Sequence, residues 1–173
     1  DTQRGATVIG ARDFLVAYNI NLDTTSVPVA NAIACDVRES GRANGAGKRI
    51  SGSLKSVKAI GWFIEEYGKA QVSLNLTNLS VTPVHIAFNE VYNKAIKRGT
   101  RVTGSELIGL IPLKAMLSAG KYFLDKEGIS KQATEHELIK MAISALGLDE
   151  LSPFNPEERI IEYVLKNKDW QLT

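Results

Sequence analysis

At 173 residues the chain is long enough for one ordinary domain that needs neither metal nor disulfide staples. Hydrophobic residues at 44%, charged residues at 23% and a mean hydropathy of −0.08 exclude a disordered tail, a coiled coil and a collagen-like chain. A net charge of +2 gives no ground for nucleic-acid binding, no apolar run approaches the ~18 residues of a membrane helix, and a lone Cys35 fits a reducing cytoplasm. The chain starts at Asp1 with neither Met nor a signal-like region, which we read as a piece of a longer protein.

Residues 12–22, RDFLVAYNINL, are rich in aromatic and β-branched side chains and predict a strand. Ser26 and Pro28 then open a helix whose apolar stripe is Ala30, Ile33, Ala34 and Val37. Residues 41–53, with four glycines, read as a loop. Residues 57–66 and 70–77 predict two strands joined by a two-residue turn at Tyr67 and Gly68. Thr82 and Pro83 predict the start of a helix with a stripe of Val84, Phe88, Val91, Tyr92 and Ala95, stopped by Lys97, Arg98 and Gly99.

Residues 101–111 predict a fourth strand, ended by Pro112, and three helical stretches follow. The second has a capping box of Thr134 and Glu137, a stripe of Leu138, Met141, Ala142 and Ala145, and a stop at Gly147. Asn155, Pro156 and Glu158 start the third. The order is β-α-β-β-α-β followed by helices: an α+β, ferredoxin-like antiparallel sheet with helices on one face and extra C-terminal helices. All of residues 1–173 read as one subdomain, with a core over roughly 5–125 and a helical extension over roughly 126–173.

Side chains of a strand alternate between faces, so each strand sorts by parity. Val72, Leu74 and Leu76 fall on one side, and Gln71, Ser73 and Asn75 on the other. The predicted hairpin sets Lys58, Ile60, Trp62 and Ile64 beside the polar row, and the first strand adds Asn19 and Asn21. The apolar face belongs under the helices. Neutral amides beside an indole suit a face that covers a flat, partly polar heterocycle, although a plain solvated sheet surface is the commoner meaning of such a pattern.

Residues 41–51, GRANGAGKRIS, imitate a phosphate loop, but Arg42 and Arg49 stand where Gly and Ser or Thr belong, and the segment follows a helix. Its charge is more informative. From Arg38 to Lys58 there are six cations and one acid, a pattern that is most often a plain solvated loop and otherwise suits capture of a poly-anion such as a string of carboxylates, while residues 125–173 carry ten acids and six bases. His85, His136 and Cys35 lack neighbours at ligand or nucleophile spacing, so no metal site follows.

Four stretches together resemble a known family: GATVIGARDFLVAYNINL at 5–22, VKAIGWFIEE at 57–66, GSELIGLIPLKAML at 104–117 and ALGLDELSPFNPEERIIEYVL at 145–165. They are similar to the glutamate formiminotransferases, which stand alone in bacteria and form the front half of formiminotransferase-cyclodeaminase in animals. The resemblance covers the C-terminal subdomain of the transferase. It implies transfer of a formimino group from N-formimino-L-glutamate to N5 of tetrahydrofolate in histidine degradation. It also implies a charged tunnel between two subdomains packed sheet against sheet, with tetrahydrofolate as co-substrate and no metal. The catalytic His then belongs to the partner, the N-terminal subdomain, and this segment has no catalytic residue and is inactive alone. A cytoplasmic homo-oligomer without nucleic-acid or membrane partners is the expected full enzyme.

On that resemblance the candidate folate and substrate residues are Arg12, for a glutamate carboxylate, then Asn19, Asn21, Trp62, Gln71, Ser73, Asn75, Ser105 and Glu106. Arg42, Lys48 and Arg49 are candidates for the polyglutamate tail of folate. Glu106 departs from a GSQL-like segment of the animal enzymes, and an ionised carboxylate cannot donate as an amide does. Two other readings stay open: a stand-alone binding or regulatory module of the same fold, and a related formyl transfer from N-formylglutamate.

Overall fold

The computed structural model describes residues 5–7, 9–11, 13–128 and 132–167. β1, Val16–Leu22, is shorter than predicted: it begins where pairing with Leu76 begins, and Arg12 lies outside the described residues. α1, Val27–Val37, starts as predicted, with Ser26 Oγ accepting from the Val29 N–H at 3.4 Å. Its whole predicted stripe is fully buried. The 41–53 segment is not a plain loop, because β2, Arg42–Ala43, and β3, Arg49–Ile50, pair as a small antiparallel ribbon.

β4, Val57–Ile64, and β5, Lys69–Leu76, form the predicted hairpin with a different turn. Ile64 pairs with Lys69, so the turn has four residues, 65–68, closed by the Gly68 N–H on the Glu65 carbonyl at 3.1 Å. Gly68 supplies the left-handed φ of 60° that this turn needs. The register therefore slips by two residues from the prediction. Two is even, so every side chain keeps its face although each cross-strand partner changes.

α2, Val84–Lys97, is entered through Pro83 and not capped by Thr82, whose hydroxyl donates instead to the Lys55 carbonyl at 2.7 Å. Tyr92 of its predicted stripe is exposed, and His85 is buried in its place. β6, Val102–Ile108, completes one antiparallel sheet in the order β4-β5-β1-β6. That is the split βαβ, ferredoxin-like arrangement, with α1 and α2 on one face.

α3, Leu113–Lys126, packs on α2 and on α4, Glu135–Leu146. The capping box of α4 is present, and Gly147 ends it at φ 62°. The buried stripe of α4 is Ile139, Ala142 and Leu146, leaving Leu138, Met141 and Ala145 half-buried. The last predicted helix is two pieces, α5, Pro156–Arg159, and α6, Ile161–Asn167. Ile160 interrupts it by forming a parallel bridge with Ile111.

The core lies between sheet and helices: Val16, Tyr18, Ile20, Leu22, Val72, Leu74 and Leu76 meet the stripes of α1 and α2. Each such side chain contributes about 1.5–3 kcal/mol by leaving water. α1 rests directly on strand backbone at Gly61, where a Cβ would come within 2.0 Å of the Asn31 nitrogen. Among the described residues no helix packs on the other face of the sheet.

Candidate functional site

The open face carries Asn19 and Asn21 from β1, Lys58, Ile60 and Trp62 from β4, Lys69, Gln71, Ser73 and Asn75 from β5, and Glu106 from β6. Register sets them side by side: Asn19 lies between Ser73 and Glu106, and Asn21 between Gln71 and Gly104. Asn21 and Gln71 are 0% exposed, and a line of hydrogen bonds takes up their buried polar groups. Trp62 Nε1–H donates to Gln71 Oε1 at 3.0 Å, Gln71 Nε2 to Asn21 Oδ1 at 2.7 Å, and Asn21 Nδ2 to Glu150 Oε2 at 2.6 Å. Lys69 Nζ then donates to Glu150 Oε1 at 2.9 Å and to Thr103 Oγ1 at 3.1 Å.

A second cluster centres on Glu106, whose carboxylate accepts from Asn19 Nδ2 at 3.5 Å and from the Tyr67 hydroxyl at 3.3 Å. The Glu106 charge raises the Tyr67 phenol above its ordinary pKa, so Tyr67 stays a donor at neutral pH. Glu150 is shifted the other way. Burial alone would raise its carboxyl, but hydrogen bonds from Thr103, Asn21 and Lys69 outweigh burial and hold it below its usual value.

Around these polar groups stand the apolar surfaces of Ile60, 54% exposed, Trp62, 38%, and Ile108, 46%. The face thus offers an aromatic plane, a carboxylate that accepts and amides that do both, as a flat heterocycle with a polar edge requires. The two imidazoles are elsewhere. His85 stacks on Tyr122 at 4.7 Å between ring centroids, and burial lowers its pKa. His136 is exposed in the first turn of α4. Among the described residues no group of three or more His, Cys, Asp or Glu is placed to hold a metal ion.

The structure brings Asn19, Asn21, Trp62, Gln71, Ser73, Asn75 and Glu106 onto one surface. Ser105 is a correction. Neighbouring strand residues point to opposite faces, so Ser105 cannot share the face of Glu106; it is fully buried in the core, accepting from Tyr18 at 2.8 Å and donating to the Leu146 carbonyl at 2.6 Å. Arg42 is a second correction, because its guanidinium pairs with Asp36 and donates to the Ala32 carbonyl at 3.0 Å. Those bonds tie the β2–β3 ribbon to α1, on the covered side of the sheet. Lys48 and Arg49 are exposed on that ribbon, and Arg12 lies outside the described residues.

Sequence reasoning missed Lys69, Tyr67, Thr103 and Glu150. Lys69 was within reach, since it has the parity of Gln71 and the strand begins one residue earlier than predicted. Glu150 had no local sign, being 129 positions from Asn21.

The chain matches the family model of the formiminotransferase domain over residues 17–166. It is 50% identical over 164 residues to a formimidoyltransferase-cyclodeaminase of Gallus gallus, covering 95% of this chain and 29% of that protein. It is 38% identical over 137 residues to a glutamate formimidoyltransferase of Streptococcus pyogenes serotype M1, covering 78% of this chain and 42% of that protein. A glutamate formimidoyltransferase of Thermoplasma acidophilum is 35% identical over 127 residues, covering 73% of this chain and 39% of that protein. The chain therefore spans less than half the length of each of these relatives. With the family model matched over most of its length, the chain belongs to the formiminotransferase domain family.

Proposed function

We propose that the open sheet face is the folate-binding wall of a one-carbon transferase, which moves a formimino group from N-formimino-L-glutamate to N5 of tetrahydrofolate. The names of the relatives and the resemblance in the sequence support the reaction; the amide-lined face with its half-exposed indole supports the placement. In the reaction the N5 lone pair attacks the amidine carbon and a C–N bond forms. The bond to the glutamate nitrogen then breaks, and that nitrogen leaves as the amine. One proton passes from N5 to the departing nitrogen, so a group that titrates near neutrality has to carry it. We assign that group to the His of an adjoining N-terminal subdomain, which packs on the exposed Ile60 and Ile108 of the same face.

This chain's own task is binding and orientation. Trp62 supplies a stacking plane for the pterin. Glu106 only accepts, so it suits the amine-bearing edge of a pterin, and its departure from Gln becomes usable chemistry. Asn75 and Ser73 remain open to solvent for further polar contacts. Arg12 is assigned to a glutamate carboxylate, which its planar fork binds bidentately. The chain alone transfers no formimino group at a measurable rate, since half of the site stays in water.

Trp62 carries this reading. In the full-length protein, Trp62→Ala should weaken tetrahydrofolate binding about ten- to a hundredfold by calorimetry, the usual worth of one heterocycle stacked on an aromatic ring. Arg12→Ala should raise the KM for N-formiminoglutamate. Unchanged affinity for both ligands in both variants would remove the assignment, and turnover with N-formylglutamate in its place would move the donor to the formyl class.

A further inference from the structure

The line of side chains across the open face has a sense, and both of its ends fix it. An indole N–H can only donate and a carboxylate can only accept. With Trp62 at one end and Glu150 at the other, each amide between them has one allowed orientation. Gln71 must turn its oxygen to Trp62 and its nitrogen to Asn21, and Asn21 must turn its nitrogen to Glu150. Both amides are fully buried, so neither can satisfy itself with water instead.

Glu150 reaches this face from the helical side of the molecule. The turn after α4 passes over β6, the edge strand, with the Gly147 carbonyl accepting from the Ser105 N–H at 2.9 Å. Passage is so close that a Cβ on Gly104 would lie 2.5 Å from Glu150 Oε2 and 2.8 Å from the Gly147 oxygen. Only glycine at 104 lets the carboxylate through. Lys69 then holds the second carboxylate oxygen, so the end of the line is fixed from two sides.

We propose that Glu150 is a positioning residue for folate binding, locking the indole of Trp62 through Asn21 and Gln71 in the orientation that receives the pterin. The functional half of this inference rests on the folate reading above; the polarity of the line does not. Without the carboxylate, the buried Asn21 Nδ2 loses its acceptor, and the indole N–H alone still sets the sense of the line. An inverted pair of amides, with the Gln71 nitrogen donor against donor to the indole N–H, then competes with the original pair and loosens the anchor of Trp62. On an edge strand that ring has room to change rotamer.

The test uses full-length protein carrying 5-fluorotryptophan, with the Trp62 19F resonance assigned by Trp62→Phe. Glu150→Leu and Glu150→Gln should each broaden or split that resonance without ligand, and weaken tetrahydrofolate about tenfold and about threefold respectively. Asn21→Leu should reproduce the spectral change, and adding Glu150→Gln to it should change nothing further, because the line is already cut. A purely structural role would lower the melting temperature while leaving the Trp62 resonance sharp. If Glu150→Leu fails to fold, Glu150→Gln and Asn21→Leu carry the test. A sharp, unshifted Trp62 resonance in both overturns the proposal, even where Trp62→Ala still weakens folate. A broadened resonance with unchanged folate affinity also overturns it; should Trp62→Ala be equally silent, the failure is that of the folate reading itself.

Discussion

Ile20 and Asn21 are neighbours on the same strand and equally buried, yet the two faces they occupy are ordered in different ways. On the covered face, burial follows from apolar side chains pressed under α1 and α2, and partners of similar volume are interchangeable at modest cost. On the open face, burial follows from donors and acceptors matched one to one, and a single inverted amide breaks the match. The first face tolerates repacking and fails through cavities. The second fails through lost orientation, which is the property a ligand reads.

The largest expected effect lies on the covered face. Leu74→Ala should cost about 2–5 kcal/mol in chemical denaturation, while the folded fraction keeps its tetrahydrofolate affinity. A parallel loss of affinity would break the separation of the two faces. Gln71→Leu keeps the volume but strands the Trp62 N–H and one Asn21 oxygen; it should cost about 1–3 kcal/mol and also weaken folate. Ser105→Ala should cost about 1–2 kcal/mol, through the Tyr18 hydroxyl and the Leu146 carbonyl, with no change in folate affinity. A clear folate defect there would return Ser105 to the site.

Acid sharpens the comparison through Glu150. Its folded pKa lies below the ordinary 4.5, so its ion pair and hydrogen bonds stabilise the fold above that value and are lost as pH falls through the folded one. Denaturation midpoints followed downward from pH 6 should fall more steeply in the wild-type protein than in Glu150→Gln, and equal slopes would show that Glu150 titrates as an exposed acid. The smallest effect belongs to the ribbon. Removing Lys48 and Arg49 together should leave stability within about 0.5 kcal/mol. It should weaken polyglutamylated folate a few-fold more than the monoglutamate, at low ionic strength only. Equal loss for both forms would make the ribbon structural.

Much of the fold was legible because its determinants are local. Ser26, Thr134 and Asn155 cap the helices that follow them through atoms two or three residues away. Strand alternation, a property of consecutive residues, sorted Gln71, Ser73 and Asn75 from Val72, Leu74 and Leu76. It survived even a wrong turn, since the register slipped by an even number. Where the reading failed, a distant group had won the competition: Lys55 took the Thr82 hydroxyl, Asp36 took Arg42, and Ile111 broke the last helix at Ile160.

Composition and pattern by themselves determined an α+β chain with an amphipathic sheet, an amide row and a basic segment. They did not determine which amide faces which, because an amide's two ends are nearly alike until a group of one polarity fixes one of them. That group is Glu150, brought to Asn21 across 129 positions by the packing of α4 and the absence of a side chain at Gly104. No window of sequence contains both residues; only the folded chain, in which the turn after α4 crosses the edge of the sheet, puts the carboxylate where it gives the open face its direction.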